Sequence, residues 1–383
     1  MDRRELLQLG GAAMALGSGL AGGAQAQNAV GPGKKLQLSV YTRTLNWLKT
    51  PEDVAGAVKE IGSKSVDLIV RRGSNHVDPE KVKTEMPRWV NGLRANGVEV
   101  TMIAPTITDA TDPFAEDVLD AAAQAGIHHY WWGTYRYDET KPYWPQLDAL
   151  KPKVEALVKL NQKYGMKAMA HPRDGAGSVS AAFYDLYYLL KDFDPRYVSF
   201  QYDTHHLMQA FDGGWVQQLR MGAPYIGGFV WKDVMIEMAD SPNPDDAWRA
   251  AHPTPPRAGG RGGAAADAAG AAGTTPPGGA DQLPPGGGRG GGRRGGGAAN
   301  SAPSKTRIRQ VPVGTGMINL KLIAQTLKEI NFNGPMEWEP EWPQLGGPNN
   351  GAAELSIPRA EFIALMKRDR VTLETIFTET GLI

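Results

Sequence analysis

The chain has 383 residues, with 41 basic and 41 acidic side chains and a formal net charge of zero, so no global field draws it to nucleic acid. It contains no cysteine, which excludes disulfides, thiolate metal sites and cysteine nucleophiles and leaves histidine and carboxylate as metal donors. The length accommodates one large α/β domain or two medium ones.

Residues 1–27, MDRRELLQLGGAAMALGSGLAGGAQAQ, place Arg3-Arg4 before a mildly apolar Gly/Ala-rich stretch that ends in Ala-Gln-Ala. The pattern resembles a twin-arginine (Tat) export signal with cleavage after Ala26, with Asp2 and Gln8 departing from the usual flanks. It is too short and glycine-rich to span a bilayer comfortably. The expectation is a periplasmic protein with no stable membrane anchor after cleavage. Residues 27–35 then form a linker and 36–383 a single domain.

Strands are predicted in order at Leu36–Tyr41, Val66–Val70, Val98–Ala104, His128–Gly133, Met166–His171, Tyr197–Asp203, Tyr225–Trp231 and Pro335–Trp342. Between them run amphipathic stretches such as PEDVAGAVKEIG, LKPKVEALVKLNQKYG and INLKLIAQTLKEIN, with apolar residues near helical period and Gly or Asn at the end. Eight strand–helix units predict a closed (β/α)8 TIM barrel of about 250 residues. The alternative, a doubly wound open sheet, lacks a glycine-rich dinucleotide fingerprint after the first strand. After the seventh strand the beat breaks at 251–305, a Gly/Ala/Pro/Arg-rich stretch with six basic and two acidic residues. With almost no large apolar side chain it cannot offset its ordering entropy, and it reads as a disordered insertion. Its GGGRGGGRR run reads as a soluble loop rather than an RNA-binding tract.

Barrel active sites lie at the C-terminal ends of the strands, and side chains alternate faces along each strand. On the sixth strand Ser199, Gln201 and Asp203 point inward with Asp203 on top; on the fifth, Lys167, Met169 and His171; on the seventh, Gly228, Val230 and Lys232. On the eighth, Glu337, Glu339 and Glu341 share one parity, a column of like charges that is costly to bury unless a cation or basic groups offset it. His171, Asp203, His206, Lys232, Glu339 and Glu341 are therefore expected at one mouth. Such a donor set suits one divalent ion, Mn, Co, Zn or Mg, with His171, Asp203, His206 and Glu341 as candidate ligands. Arg71, Arg72 and His76 after the second strand, with Trp131, Trp132, Tyr135 and Arg136 around the fourth, are candidate contacts to a polyhydroxylated ligand. For Asp203 a plain turn cap competes with the ligand role.

The phrases VDLIVRRGSNHVDPEKV, TITDA, YDTHH, VWKDV and GPMEWEPEWPQLGG resemble the xylose-isomerase-like TIM barrels of the sugar phosphate isomerase/epimerase superfamily, in particular its Tat-exported members. The resemblance implies one divalent ion and proton transfer beside a sugar carbonyl through an enediolate, with two glutamates as acid and base. By that likeness Asp203, His206, the Lys232-Asp233 pair and Glu339 or Glu341 take family positions. His171 stands where a glutamate is usual and Val230 where a histidine is usual. The first departure removes one carboxylate base and the second removes a ligand.

The expected function is a divalent-metal-dependent isomerase or epimerase acting on a sugar or keto-sugar, with Glu339, Glu341, Lys232 and His206 as catalytic candidates. A lyase or hydrolase acting on 3-keto glycosides is the alternative, and a catalytically silent sugar-binding barrel is a further one. The expected partner is a small carbohydrate, not nucleic acid; an oligomer is compatible with the sequence.

Overall fold

A computed structural model describes residues 36–133, 135–173, 177–208, 214–252, 305–346 and 349–383. The export signal, the linker and all of the 251–305 insertion except 251, 252 and 305 lie outside the described residues. Eight parallel strands close a barrel: β1 (Leu38–Tyr41), β2 (Ser65–Ile69), β3 (Glu99–Ala104), β4 (His129–Trp132), β5 (Lys167–Ala170), β6 (Val198–Asp203), β7 (Ile226–Trp231) and β10 (Met336–Trp338). Each neighbours the next in chain order, and β10 pairs with β1 to seal the ring. Helices α1 (Pro51–Ile61), α2 (Val82–Ala95), α3 (Ala115–Gln124), α4 (Tyr143–Tyr164) and α5 (Phe183–Leu190) follow the first five strands. Next come α6 (Thr204–Met208) and α7 (Trp215–Gly222) after β6, α8 (Asp246–Ala251), α9 (Leu320–Glu329) and α10 (Arg359–Thr380). The predicted (β/α)8 barrel is the observed fold. Among the described residues no helix is long and apolar enough to cross a membrane.

Local chemistry explains the boundaries. At α1, Thr50 Oγ1 accepts a hydrogen bond from the Asp53 N–H, Pro51 fills the first turn, and Gly62 ends the helix in the left-handed conformation at φ 92°. On the outer faces of the strands Val198, Phe200, Tyr202, Phe229, Trp231 and Trp338 join the continuous apolar layer between barrel and helices. The inner faces are polar: Ser39, Ser65, Thr101 and Ser199 hydrogen-bond to one another or to strand backbone near the floor. Between β6 and β7 the register slips by one residue, so Phe200 faces Ile226 and Gln201 faces Gly228. Gly227 is the extra residue, and a Cβ there would lie 2.0 Å from Ser199 Oγ. Only glycine permits that approach.

Two features differ from the sequence expectation. The eighth strand ends at Trp338 instead of Trp342, because Pro340 has no N–H to extend the ladder. Between β7 and β10 a two-stranded antiparallel hairpin stands outside the barrel, formed by β8 (Asp233–Met238) and β9 (Thr306–Val311). Its six residue pairs run from Asp233–Val311 to Met238–Thr306, and residues 239–305 join the two strands.

Candidate active site

The C-terminal end of the barrel holds a buried cation inside a cage of carboxylates. Lys232, the residue after β7, places Nζ 2.6 Å from Glu339 Oε2, 2.8 Å from Glu341 Oε2 and 3.1 Å from Asp203 Oδ2. All four side chains are buried. The lysine backbone is fixed by Thr204, whose hydroxyl donates to the Lys232 carbonyl and accepts from its N–H, each at 2.8 Å. Asp203 and Glu341, expected beside one cation, both meet the Lys232 ammonium.

Asp203 divides its two oxygens between structure and site. Oδ1 accepts from the backbone N–H groups of His205, at 2.7 Å, and His206, at 3.1 Å, so it caps α6. Oδ2 faces Lys232, with His171 Nε2 at 3.6 Å and His206 Nε2 at 3.9 Å. The turn-cap role and the site role coexist on one residue. Among the described residues His171, Asp203 and His206 form the one group able to hold a metal ion, with donor atoms all within 4.8 Å of one another. Glu341 is not in that group; Lys232 and Gln310 Nε2, at 2.8 Å, engage its Oε2. Val230 points inward between Asp203 and Glu337, its register partners on β6 and β10.

Charge and burial set the protonation states. Burial alone would lift Asp203 and Glu341, but the Lys232 ammonium outweighs it. Asp203 is held well below the carboxylate range and Glu341 at about 2. Burial would likewise depress Lys232, yet Asp203, Glu339 and Glu341 together push it well above the usual ammonium value. Glu339 ends up raised, because burial and the neighbouring Glu341 outweigh Lys232. Burial, then Arg173, drives His171 well below the ordinary imidazole range, and burial takes His205 to about 4. Both rings are neutral at physiological pH.

A second layer lies beneath. Glu337 Oε2 accepts from Trp131 Nε1 at 3.1 Å and from Gln201 Nε2 at 3.0 Å. Burial raises Glu337 well above the carboxylate range and raises its neighbour Asp67 with it. Burial outweighs the pull of Arg71 on Asp67, and burial with the repulsion of Asp67 outweighs the pull of Lys232 on Glu337. Trp131 is sandwiched between Tyr41 and His171, with ring centroids 4.8 and 4.1 Å away. Arg71 lies over the Trp131 ring at 5.5 Å, within the field of Arg43, Arg173 and Glu339.

The other expected substrate contacts lie elsewhere. His76 packs on Trp89 of α2, at 4.6 Å between rings. Trp132 donates to the Thr108 carbonyl and packs on Tyr135 in the layer outside the strands. Arg72 pairs with Glu80 at 3.1 Å near the surface, and Arg136 bridges to Ser178. The structure brings Arg71 and Trp131 to the cluster but not these five. Sequence reasoning missed Tyr41, Arg43, Asp67, Arg173 and Gln310. A lone aspartate between Val66 and Leu68 marked Asp67 as inward-facing; Gln310 carried no such signal.

Comparison with known proteins finds the same barrel. Among curated proteins none matches the chain. Of the solved structures with the same barrel, 3-keto-D-glucoside 4-epimerase from E. coli is 11% identical, with a TM-score of 0.52 over 88% of this chain and 100% of its own. An L-ribulose 3-epimerase is 11% identical, with a TM-score of 0.55 over 91% of this chain and 97% of its own. A xylose isomerase-like TIM barrel protein from Mycobacterium smegmatis, in complex with magnesium, is 12% identical, with a TM-score of 0.50 over 87% of this chain and 97% of its own. At such identities the likeness establishes the barrel. A family model described as xylose isomerase-like TIM barrel matches residues 55–264, more than half of the chain, and to that family the chain belongs.

Proposed function

We propose that the protein is an isomerase/epimerase-type enzyme that moves a proton beside the carbonyl of a sugar or keto-sugar, in the periplasm after Tat export. The observation that carries this reading is the buried Lys232 ammonium clasped by Asp203, Glu339 and Glu341 at 2.6–3.1 Å. The sugar epimerases among proteins of the same fold support the class of reaction. An unphosphorylated sugar suits an exported enzyme.

The donor set fits a divalent ion. His171 Nε2 is buried with no hydrogen-bond partner, and its spacing from Asp203 Oδ2 of 3.6 Å suits two ligands each at about 2.0–2.2 Å from one centre. His171, Asp203 and His206 would hold it. When bound, such an ion polarises a carbonyl and lowers the barrier to removing the neighbouring proton.

The chain's own groups account for proton movement. Glu339, whose proton affinity burial and the neighbouring Glu341 raise, serves as the general base. Lys232, at 2.6 Å from it, keeps the carboxylate aimed and offers N–H donors to a developing oxyanion. Glu341, held low, remains an anion that keeps Lys232 charged. Glu339 and Glu341 both leave the end of β10, and a histidine occupies the β5 position opposite. With a histidine in place of a second glutamate base, same-face transfer or β-elimination from a 3-keto glycoside is favoured over inversion.

Mature protein incubated in D2O with free ketoses and 3-keto glycosides, with Mn, Co, Zn or Mg, is expected to place deuterium beside the carbonyl. Lys232→Met and Glu339→Gln are expected to abolish that exchange. No exchange above the Lys232→Met level with any substrate and ion overturns the reading.

A further inference from the structure

We infer that Gln201, backed by Glu337, is a positioning residue that presents His171 Nε2 to a borderline transition-metal ion such as Zn2+ or Co2+, and that the site discriminates against Mg2+. The inference rests on the reading that His171, Asp203 and His206 hold a divalent ion.

The hydrogen-bond directions follow from chemistry. Glu337 Oε2 accepts from both Trp131 Nε1 and Gln201 Nε2, so the nitrogen end of the Gln201 amide faces Glu337. The amide oxygen then faces His171 Nδ1 at 3.0 Å. An amide oxygen only accepts, so Nδ1 carries the hydrogen, and a neutral imidazole protonated there has its lone pair on Nε2. That nitrogen is the one turned toward Asp203 Oδ2 at 3.6 Å, without a hydrogen-bond partner of its own. The ring cannot swing away, because Trp131 stacks on it at 4.1 Å and 6° between planes, with Tyr41 behind Trp131. Trp131 thus does two things: it holds the imidazole plane and shares the acceptor that orients Gln201. A donor set of two imidazoles and one carboxylate suits Zn, Co or Ni, whereas Mg favours oxygen alone.

The test uses the full mature chain, stripped with chelator and dialysed. Zn2+ and Co2+ affinities come from competition with a chromophoric chelator, Mg2+ affinity from calorimetric titration, and coordination from the Co2+ visible spectrum. Zn2+ is expected to bind one per chain, tighter than Mg2+ by about a hundredfold or more. Gln201→Met, close in volume but without the acceptor, is expected to bind Zn2+ about 10–100-fold more weakly. Gln201→Glu, which restores an acceptor for Nδ1–H but loses the N–H that Glu337 accepts, is expected to recover part of that loss. His171→Glu is expected to lower the Zn-to-Mg preference by about tenfold or more, a readout that does not depend on how Gln201 variants fold. A wild-type protein that binds none of these ions overturns the ion site itself. Stoichiometric binding with Mg2+ as tight as Zn2+, or Zn2+ affinity unchanged in a folded Gln201→Met, overturns this inference and leaves the ion site standing.

Discussion

Lys232→Met keeps the buried stem of the side chain and deletes the charge that three carboxylates share at 2.6–3.1 Å. Removing one partner of a buried ion pair costs about 3–5 kcal/mol, because the remaining charges are left in a medium that solvates them poorly. At about 2 °C per kcal/mol, the lower end of the range for larger domains, the melting temperature of the chelator-treated protein falls by about 6–10 °C at pH 8. The pH dependence has a definite sign. In the wild type Asp203 and Glu341 are held below their unfolded values of about 4. Their contribution is complete above about pH 5 and lost as pH drops through the folded values. Without Lys232 the largest influence opposing burial is gone. The cap bonds and histidines remain on Asp203, and Gln310 and His205 on Glu341, so both carboxyls rise from their wild-type values. The stability they contribute at high pH shrinks accordingly, while at low pH, with both protonated, variant and wild type differ less. The gap between variant and wild type therefore narrows from pH 8 toward pH 4.5 in scanning calorimetry. A gap under about 2 °C at pH 8, or one that widens on acidification, refutes the argument that the ammonium holds the cage together.

Asp203→Asn retains an oxygen to accept from the N–H groups of His205 and His206, so it is expected to be more stable than Asp203→Ala by about 1 kcal/mol, while both lose deuterium exchange; equal denaturant midpoints would remove the cap from the account. Gly227→Ala pushes a methyl to 2.0 Å from Ser199 Oγ and is expected to cost about 1–3 kcal/mol in urea unfolding. Adding Ser199→Gly is expected to recover part of that loss, and no recovery would place the strain elsewhere. The Arg359–Glu60 pair at 2.6 Å is about half exposed on both sides, so Glu60→Ala is expected to shift the melting temperature by no more than about 2 °C.

The barrel was legible because strand alternation and helical period survive even where identity to known barrels is near a tenth. Asp203 and His171 were legible because each ends an alternating run on its inward face. Three things were not. Trp131 and Trp132 are adjacent letters, yet alternation sends the first into the barrel beside Glu337 and the second outward to Thr108; composition alone cannot separate them. The β8–β9 hairpin pairs strands that lie 67 residues apart at their nearest ends, so no local turn signal announces it, and Gln310 reaches the site only through that pairing. His76 follows a mouth strand by a few residues and still turns to Trp89, because a loop's path is set by what it packs against.

The hairpin makes the active site mechanically continuous with a structure outside the barrel. One rail of its six-pair ladder starts beside Lys232, and the other delivers Gln310 to Glu341. Its root is bolted down by Asp233, which accepts from the N–H groups of Gly314, Gly316 and Ile318. At about 3.4 Å per residue it is a cantilever roughly 20 Å long. Lys232 and the glutamine that steadies its counter-ion thus hang from the two rails of one ladder.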